Sequence, residues 1–223
     1  MKIIPPEAID VIDRLAIDIV ILNEYTDGED REPFKNSLRQ IGYDDILISR
    51  KIGRSNQVLT ASKVELGLGE IVAPDFGNSS RTNFLHVVLR SLGLEIVGLR
   101  CPAYRVRRDL NAYWNDLRFI IDTVASRPII FIGDFNGDPD GKKSPAGTHL
   151  AELRAAGWNV PAPEGEWSYI SHDGSKRSRL DYVVASSRVR VECARYITEV
   201  GEIVLAGPLD RSPISDHAAL AGC

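Results

Sequence analysis

An α/β layered domain follows from three features of the sequence. Near-continuous apolar runs such as "IDIVILNE" and "PIIFIGDF" read as strands covered on both faces. Helical patterns, above all "RRDLNAYWNDLRFIIDTVA", are interspersed with those strands. No repeat, low-complexity segment or linker divides the 223 residues, so residues 1–223 read as a single domain.

Each element has a local reason. "PPEAIDVIDRL" opens on proline and places Ile9, Ile12 and Leu15 on one face, the pattern of a short amphipathic helix. The strand "IDIVILNE" follows, and then "EPFKNSLRQIG", a second helix ended by Gly42. From 45 to 99 the pattern turns to strands, namely "DILISR", "NQVLTAS", "GEIVAP", "NFLHVVLRS" and "LEIVGLR". Turn material such as "FGNSS" and "SLG" separates them. The longest helix carries Leu110, Tyr113, Trp114, Leu117, Ile120 and Ile121 as its apolar stripe. The strand "PIIFIGDF" comes next, then a helix over "THLAELRAAG" and a polar stretch. Two further strands, "RLDYVVAS" and "VRVECARYITE", precede the closing segment "GPLDRSPISDHAALAG", whose "AAL" reads as a strand.

Composition narrows the setting. Hydrophobic content of 43% and charged content of 26% are ordinary for a globular chain. A formal charge of −4, from 27 basic and 31 acidic residues, argues against indiscriminate nucleic-acid binding through net charge while leaving room for a local basic face. Cys101, Cys193 and Cys223 are odd in number and widely spaced, with no CxxC pair, which argues against a disulfide framework or a zinc knuckle. "MKIIPPEAID" lacks the apolar core of a signal peptide, and no run approaches the roughly 18 apolar residues of a membrane span. A reduced, cytoplasmic protein with no membrane partner is the expectation, and nothing in the sequence sets its oligomeric state.

The strongest strands end in polar clusters: "NE" at 23–24, "RCPAY" at 100–104, "GDFN" at 133–136 and "SDH" at 215–217. Strand ends on one sheet edge are where α/β proteins gather catalytic groups. Glu24, Asp134 and Asp216 each stand at or just past an apolar segment without a basic neighbour in sequence. Carboxylates converging on one point need a cation, and a hard divalent ion, Mg²⁺ or Mn²⁺, suits oxygen ligands. Taken singly, an Asp after a strand is more often a turn former or a helix cap. His217 follows Asp216 at a strand mouth, where neighbouring acids can keep an imidazole cationic beside a phosphoryl oxygen. His86 lies within "FLHVVL" and reads as a strand residue, and neither His149 nor His172 shows partner spacing. Asn136 can donate to a phosphate while Asp134 accepts a proton from water, although "NG" is also a turn dipeptide. Tyr104 stands between a strand and a helix, with Arg100, Arg105, Arg107 and Arg108 around it. A second basic stretch carries Lys176, Arg177, Arg179, Arg188 and Arg190. The two stretches suit either a face for a polyanion or simple solvation.

Together these clusters resemble the endonuclease/exonuclease/phosphatase superfamily, the metal-dependent phosphoesterases that include DNase I and the exonuclease III type of apurinic endonuclease. The matching pieces are "DIVILNE", "IIFIGDFNGDP", "SRLDYVVAS" and "SPISDHAAL", in the family's order and spacing over almost the whole chain. The resemblance implies a DNase I-like four-layer sandwich, two central mixed sheets flanked by helices, with the site at one sheet edge. It implies a divalent-metal-dependent phosphodiesterase acting on nucleic acid, most specifically a DNA nuclease. A phosphoesterase for a small molecule or lipid headgroup, or a catalytically impaired binding module, stands as the alternative. Carried over by residue, Glu24 becomes the principal Mg²⁺ or Mn²⁺ ligand, assisted by Asp216. Asp134 orients or deprotonates the water, Asn136 holds the phosphate, and His217 contacts it in the transition state, oriented by Asp181. Tyr104 takes the place of a catalytic tyrosine, and Arg100, Arg105 and Arg179 are the candidate phosphate contacts. Two departures stand out. The usual first strand ending in Asn is absent, since "MKII" runs straight into "PPEAID", and Asn23 would point away from Glu24. Arg100 also replaces a family His, and a guanidinium binds phosphate without carrying protons.

Overall fold

The computed structural model describes residues 4–103, 106–141 and 144–223. Its helices are α1 (Glu7–Leu15), α2 (Glu32–Gln40), α3 (Gly77–Thr82), α4 (Arg107–Thr123) and α5 (Pro145–Ala155). Its first seven strands are β1 (Ile19–Tyr25), β2 (Asp45–Ile48), β3 (Gln57–Ser62), β4 (Leu66–Leu68), β5 (Phe84–Leu89), β6 (Leu94–Arg100) and β7 (Ile129–Asp134). The remainder are β8 (Tyr169–Ile170), β9 (Arg177–Ser178), β10 (Asp181–Ala185), β11 (Ala194–Ile197), β12 (Glu199–Val200), β13 (Ile203–Val204) and β14 (Ala219–Gly222).

Two sheets form the centre, one in the order β1-β3-β2 and one in the order β10-β7-β6-β5-β4. Strand alternation sorts their side chains into three apolar layers. Ile12 of α1 and Phe34 and Leu38 of α2 pack on Val20, Leu59 and Ala61 of the three-stranded sheet. The opposite faces of β1 and β3 present Ile19, Ile21 and Val58 to Leu85, Val87 and Ile96 of the five-stranded sheet. Val97, Leu99, Ile129 and Phe131 then face Tyr113, Trp114, Leu117 and Ile121 of α4, with Leu150 and Leu153 of α5. The result is four layers, helix–sheet–sheet–helix. Every residue of β3 and of β10 is buried, as strands covered on both faces require. His149 belongs to this core as well, stacked on Trp114 with ring centroids 5.5 Å apart. Among the described residues no helix is long and apolar enough to cross a membrane.

Several expectations need correction. "GEIVAP" is not a strand; the pairing with β5 ends at Leu68 instead. The cause is His86, whose Nδ1 accepts from the Ile71 amide at 3.0 Å and turns the segment out of the ladder. Its ring lies so close to Gly69 that a Cβ there would stand 1.9 Å from Nδ1. "FGNSS" enters the short helix α3 rather than a plain turn. α5 begins at Pro145 because Ser144 caps it, accepting from the Gly147 amide at 3.0 Å. "VRVECARYITE" is strand over Ala194–Ile197, where β14 pairs with it, and again only at Glu199, where β12 begins. Beyond that pairing, Cys193 and Cys223 form a disulfide with Cα atoms 5.3 Å apart, while Cys101 is free and buried. Pairing of Ala194 with Gly222 brings the two flanking cysteines together, a proximity no sequence spacing announces. Such bridges persist in oxidising surroundings, so the reduced compartment expected from cysteine spacing does not follow.

Gly69→Ala should force the imidazole off the Ile71 amide, an overpacking that costs about 2 kcal/mol. A lower urea midpoint at unchanged slope is the expected result, and an unshifted midpoint would show that the close approach carries no weight.

Candidate active site

The site is assembled from strand ends, and register does most of the assembling. β6 and β7 run parallel with Arg100 opposite Asp134, and β10 runs antiparallel to β7 with Asp181 opposite Asp134. Arg100, Asp134 and Asp181 therefore form one row across three adjacent strands. Residues directly opposed in this way carry their Cβ atoms about 5 Å apart. At the β10 end the row continues to His217, whose Nδ1 pairs with Asp181 Oδ2 at 2.9 Å. At the β6 end it continues to Glu24, whose Oε1 is 2.9 Å from Arg100 Nη2.

Local backbone devices aim these groups. β1 carries two residues, Asn23 and Glu24, opposite one on β3, a bulge that ends the regular ladder. Glu24 adopts the left-handed region at φ 56, which for a non-glycine costs about 1–2 kcal/mol and marks a functional position. Its carboxylate faces outward, while Asn23 turns inward and donates from Nδ2 to the Leu99 carbonyl at 3.1 Å. Gly133 is obligatory for this contact. With φ at 140, a Cβ there would stand 2.0 Å from Leu99 O and 2.9 Å from Asn23 Nδ2. After Asp134 the chain turns through Asn136 at φ 52, a conformation Asn tolerates better than most residues. The turn wraps Asp134: the Asn136 amide donates to Oδ1 at 2.9 Å and Asn136 Nδ2 to Oδ2 at 3.2 Å. Asn136 Nδ2 also donates to Cys101 O at 2.7 Å, tying the β6 and β7 exits together.

His217 is held from three sides. Its amide donates to Ser215 Oγ at 3.0 Å, its ring lies 5.2 Å from that of Tyr169, and Asp181 fixes Nδ1. Asp181 is positioned in turn by Ser168, whose Oγ accepts from the Leu180 and Asp181 amides at 2.8 and 3.1 Å. Neither Ser168 nor Tyr169 was legible as a site residue. "WSYI" has no motif of its own, and only its bridge to His217 reveals it.

The electrostatics follow from the row. Asp134 and Asp181 are both buried, so burial pushes the Asp134 carboxyl up, and the facing Asp181 charge adds to the shift. His217, the Asn136 amide and Arg100 pull the other way, and the balance stands at about 7. Burial alone would lower His217, but the Asp181 hydrogen bond and the charges of Asp181, Asp134 and Asp216 outweigh it and raise the imidazolium to about 9. At neutral pH the site thus offers a carboxyl poised between its two states beside a histidine held as a cation.

The remaining sequence candidates divide. Arg100 lies between Glu24 and Asp134, with Nε 3.4 Å from Asp134 Oδ2. Asp216 lies beside His217, its carbonyl accepting from the Ile170 amide at 3.0 Å. Arg179 turns away, donating to the Pro163 carbonyl and lying over Tyr196, 5.5 Å from the ring centroid. Tyr104 and Arg105 lie outside the described residues. Among the described residues no group of three or more His, Cys, Asp or Glu is arranged to hold a metal ion. The donor chemistry nevertheless fits a hard divalent cation. Four carboxylates, Glu24, Asp134, Asp181 and Asp216, stand against two cations, Arg100 and His217, around this sheet edge. Beside Glu24, Asn23 Oδ1 is buried without a partner.

Comparisons with known proteins bear on the family and the fold. The sequence profile described as "Endonuclease/Exonuclease/phosphatase family" matches residues 7–217. Among solved structures, the 3′ phosphatase NExo from Neisseria, bound to a product DNA hairpin, superposes with a TM-score of 0.70 at 16% identity, covering 98% of this chain and 93% of that one. An AP endonuclease from Archaeoglobus fulgidus reaches 0.73 at 15% identity, with 96% and 91% covered. The endonuclease domain of TRAS1, a telomere-specific non-LTR retrotransposon, reaches 0.63 at 14% identity, with 96% and 89% covered. No curated protein sequence gives a significant match.

The histidine account has a direct readout. His217 should titrate near 9 by NMR, so its contribution to stability is complete below pH 6.5 and is lost as pH rises through 9. In Asp181→Asn the hydrogen-bonded charge is gone, so the same resonance should titrate at clearly lower pH than in the wild-type protein. An unchanged midpoint in that variant would remove Asp181 as the cause.

Proposed function

Because the chain belongs to the endonuclease/exonuclease/phosphatase family, whose DNase I-like fold it has, we propose that it is a divalent-metal-dependent phosphodiesterase acting on DNA. One observation carries the reading: Asp134 and His217 flank Asp181 at a single sheet edge, one as a base poised near neutrality and the other as a fixed cation. Further support comes from the structurally similar 3′ phosphatase, bound to a DNA product, and AP endonuclease. The basic residues at 105–108 and 176–190 other than Arg179, which is held on Pro163 and Tyr196, are the proposed strand contacts, with Arg105 among them. Residues 1–223 act as one catalytic unit in this reading.

The reaction is hydrolysis with in-line attack. Asp134 takes the proton from the attacking water as its oxygen bonds to phosphorus and the phosphorus–oxygen bond to the leaving group breaks. With Nδ1 committed to Asp181, His217 offers Nε2–H to the oxygen that gains charge. Asn136 holds Asp134 in place and, on releasing the Cys101 carbonyl, presents its amide to the phosphate. Tyr104 is a proposed further donor. A Mg²⁺ or Mn²⁺ ion held by Glu24, with Asp216 assisting, would supply Lewis-acid polarisation of the phosphate.

The test is a cleavage panel of single-stranded, duplex and abasic DNA, RNA and a generic phosphodiester, with and without Mg²⁺ or Mn²⁺. Metal-dependent turnover of a DNA substrate is expected. Turnover of the generic diester alone points to a small-molecule substrate, and no turnover with any metal contradicts the enzyme reading. Asp134→Asn and His217→Ala should each lower kcat about 10²–10⁴-fold with the fold retained. The rate should rise through about pH 7 as Asp134 loses its proton and fall above about 9 as His217 loses its own. A flat profile between pH 6 and 10 would rule out these two groups as base and cation.

A further inference from the structure

The cation lying between Glu24 and Asp134 is part of the chain itself. Arg100 is the last residue of β6, in register with Asp134. Its guanidinium spans both sheets, with Nη2 2.9 Å from Glu24 Oε1 of β1 and Nε 3.4 Å from Asp134 Oδ2 of β7. An arginine stays charged throughout the working pH range, so it is a permanent competitor for these carboxylate oxygens. The two pairs differ in exposure: the Glu24 side chain is 43% exposed, that of Asp134 only 5%. Breaking the outer pair costs little, because water re-solvates the Glu24 carboxylate. Breaking the inner one takes a counter-charge away from a buried carboxylate that water cannot re-solvate. The guanidinium therefore has a fixed end on Asp134 and a releasable end on Glu24.

We infer that Arg100 is the resident counter-cation of the Glu24 seat, competing with the divalent ion for that carboxylate and transferring its freed Nη2 to the substrate phosphate once the ion binds. This deepens the phosphodiesterase reading and rests on it for the phosphate half; the competition for Glu24 stands on the ion pairs alone. In this arrangement Arg100 weakens metal binding in the empty site. It also couples metal to phosphate, because displacement from Glu24 frees the planar fork that recognises phosphate oxygens. A histidine or other neutral residue at the same place would leave Glu24 open to the metal at all times. Arg100 thus acts as a specificity-determining residue, favouring the ion and the phosphate together over the ion alone.

The experiment is a Mn²⁺ titration by calorimetry on the wild-type chain, Arg100→Gln and Glu24→Gln, without substrate. Arg100→Gln should bind Mn²⁺ about two- to fivefold more tightly than wild type, the worth of one half-exposed ion pair, and Glu24→Gln should bind it more weakly than either. Equal or weaker Mn²⁺ binding by a folded Arg100→Gln overturns the inference. Should that variant fail to fold, the ¹⁵Nε–¹Hε resonance of Arg100 in the wild-type protein decides. It should shift on adding diamagnetic Mg²⁺, and an unmoved resonance at Mg²⁺ saturation, or no Mg²⁺ binding at all, overturns the inference equally. In the substrate arm, Arg100→Gln should raise KM for a phosphodiester more than it lowers kcat. Tighter Mn²⁺ binding without phosphodiester cleavage by either protein would overturn the enzyme reading and leave the competition standing. Cleavage with unchanged Mn²⁺ affinity would do the reverse.

Discussion

Two carboxylates facing each other across adjacent strands are the constraint on which the rest of the site depends. Asp134 and Asp181 are opposed in the β7–β10 register and both are buried, so they would repel one another at close range with little water to screen them. Their surroundings answer that repulsion. His217 pairs with Asp181, Arg100 approaches Asp134, and the turn at Asn136 gives Asp134 two further donors. The residual imbalance is not removed. Together with burial, it is expressed as a raised Asp134 carboxyl and a histidine kept cationic, both groups holding their protons more tightly than usual.

The fold serves this arrangement by making it rigid. Asp134 and Arg100 are at the C-terminal ends of parallel strands whose other residues are locked between the inter-sheet layer and the α4–α5 layer. A strand that cannot slide cannot change which residue faces which, because a one-residue slip would invert every side chain. Irregularity is confined to where the chemistry needs it, at the Glu24 bulge, at Gly133 and at the left-handed Asn136. Each of these lets a polar group leave the ladder without dragging the strand with it.

Much of this was legible in the sequence, for a physical reason. Asp134, Asn136 and His217 stand at the ends or mouths of apolar runs, so each could be recognised locally as a strand-end group, whereas Asp181 came only through the family resemblance. The layered α/β class was equally local, since β1 and β7 read as covered strands from their near-continuous apolar runs and helical patterns alternate with them. What stayed hidden depends on pairing between distant segments. The Glu24–Arg100 ion pair needs two sheets to be stacked, and the Cys193–Cys223 bridge needs β11 to meet β14. The misread strand at 69–74 failed for the same reason: its apolar pattern is genuine, but a histidine on the neighbouring strand takes its hydrogen bond. Tyr169 and Ser168 support His217 and Asp181 only through the tertiary path of the chain.

The central claim is that burial, with the facing Asp181 charge adding to it, makes Asp134 a base poised near neutrality. Carboxyl ¹³C NMR of Asp134 in the wild-type protein, followed across pH, tests it most directly. A midpoint near 7 is the predicted result. Titration in the ordinary aspartate range, at about 4, would contradict it and leave the site without a base matched to neutral pH.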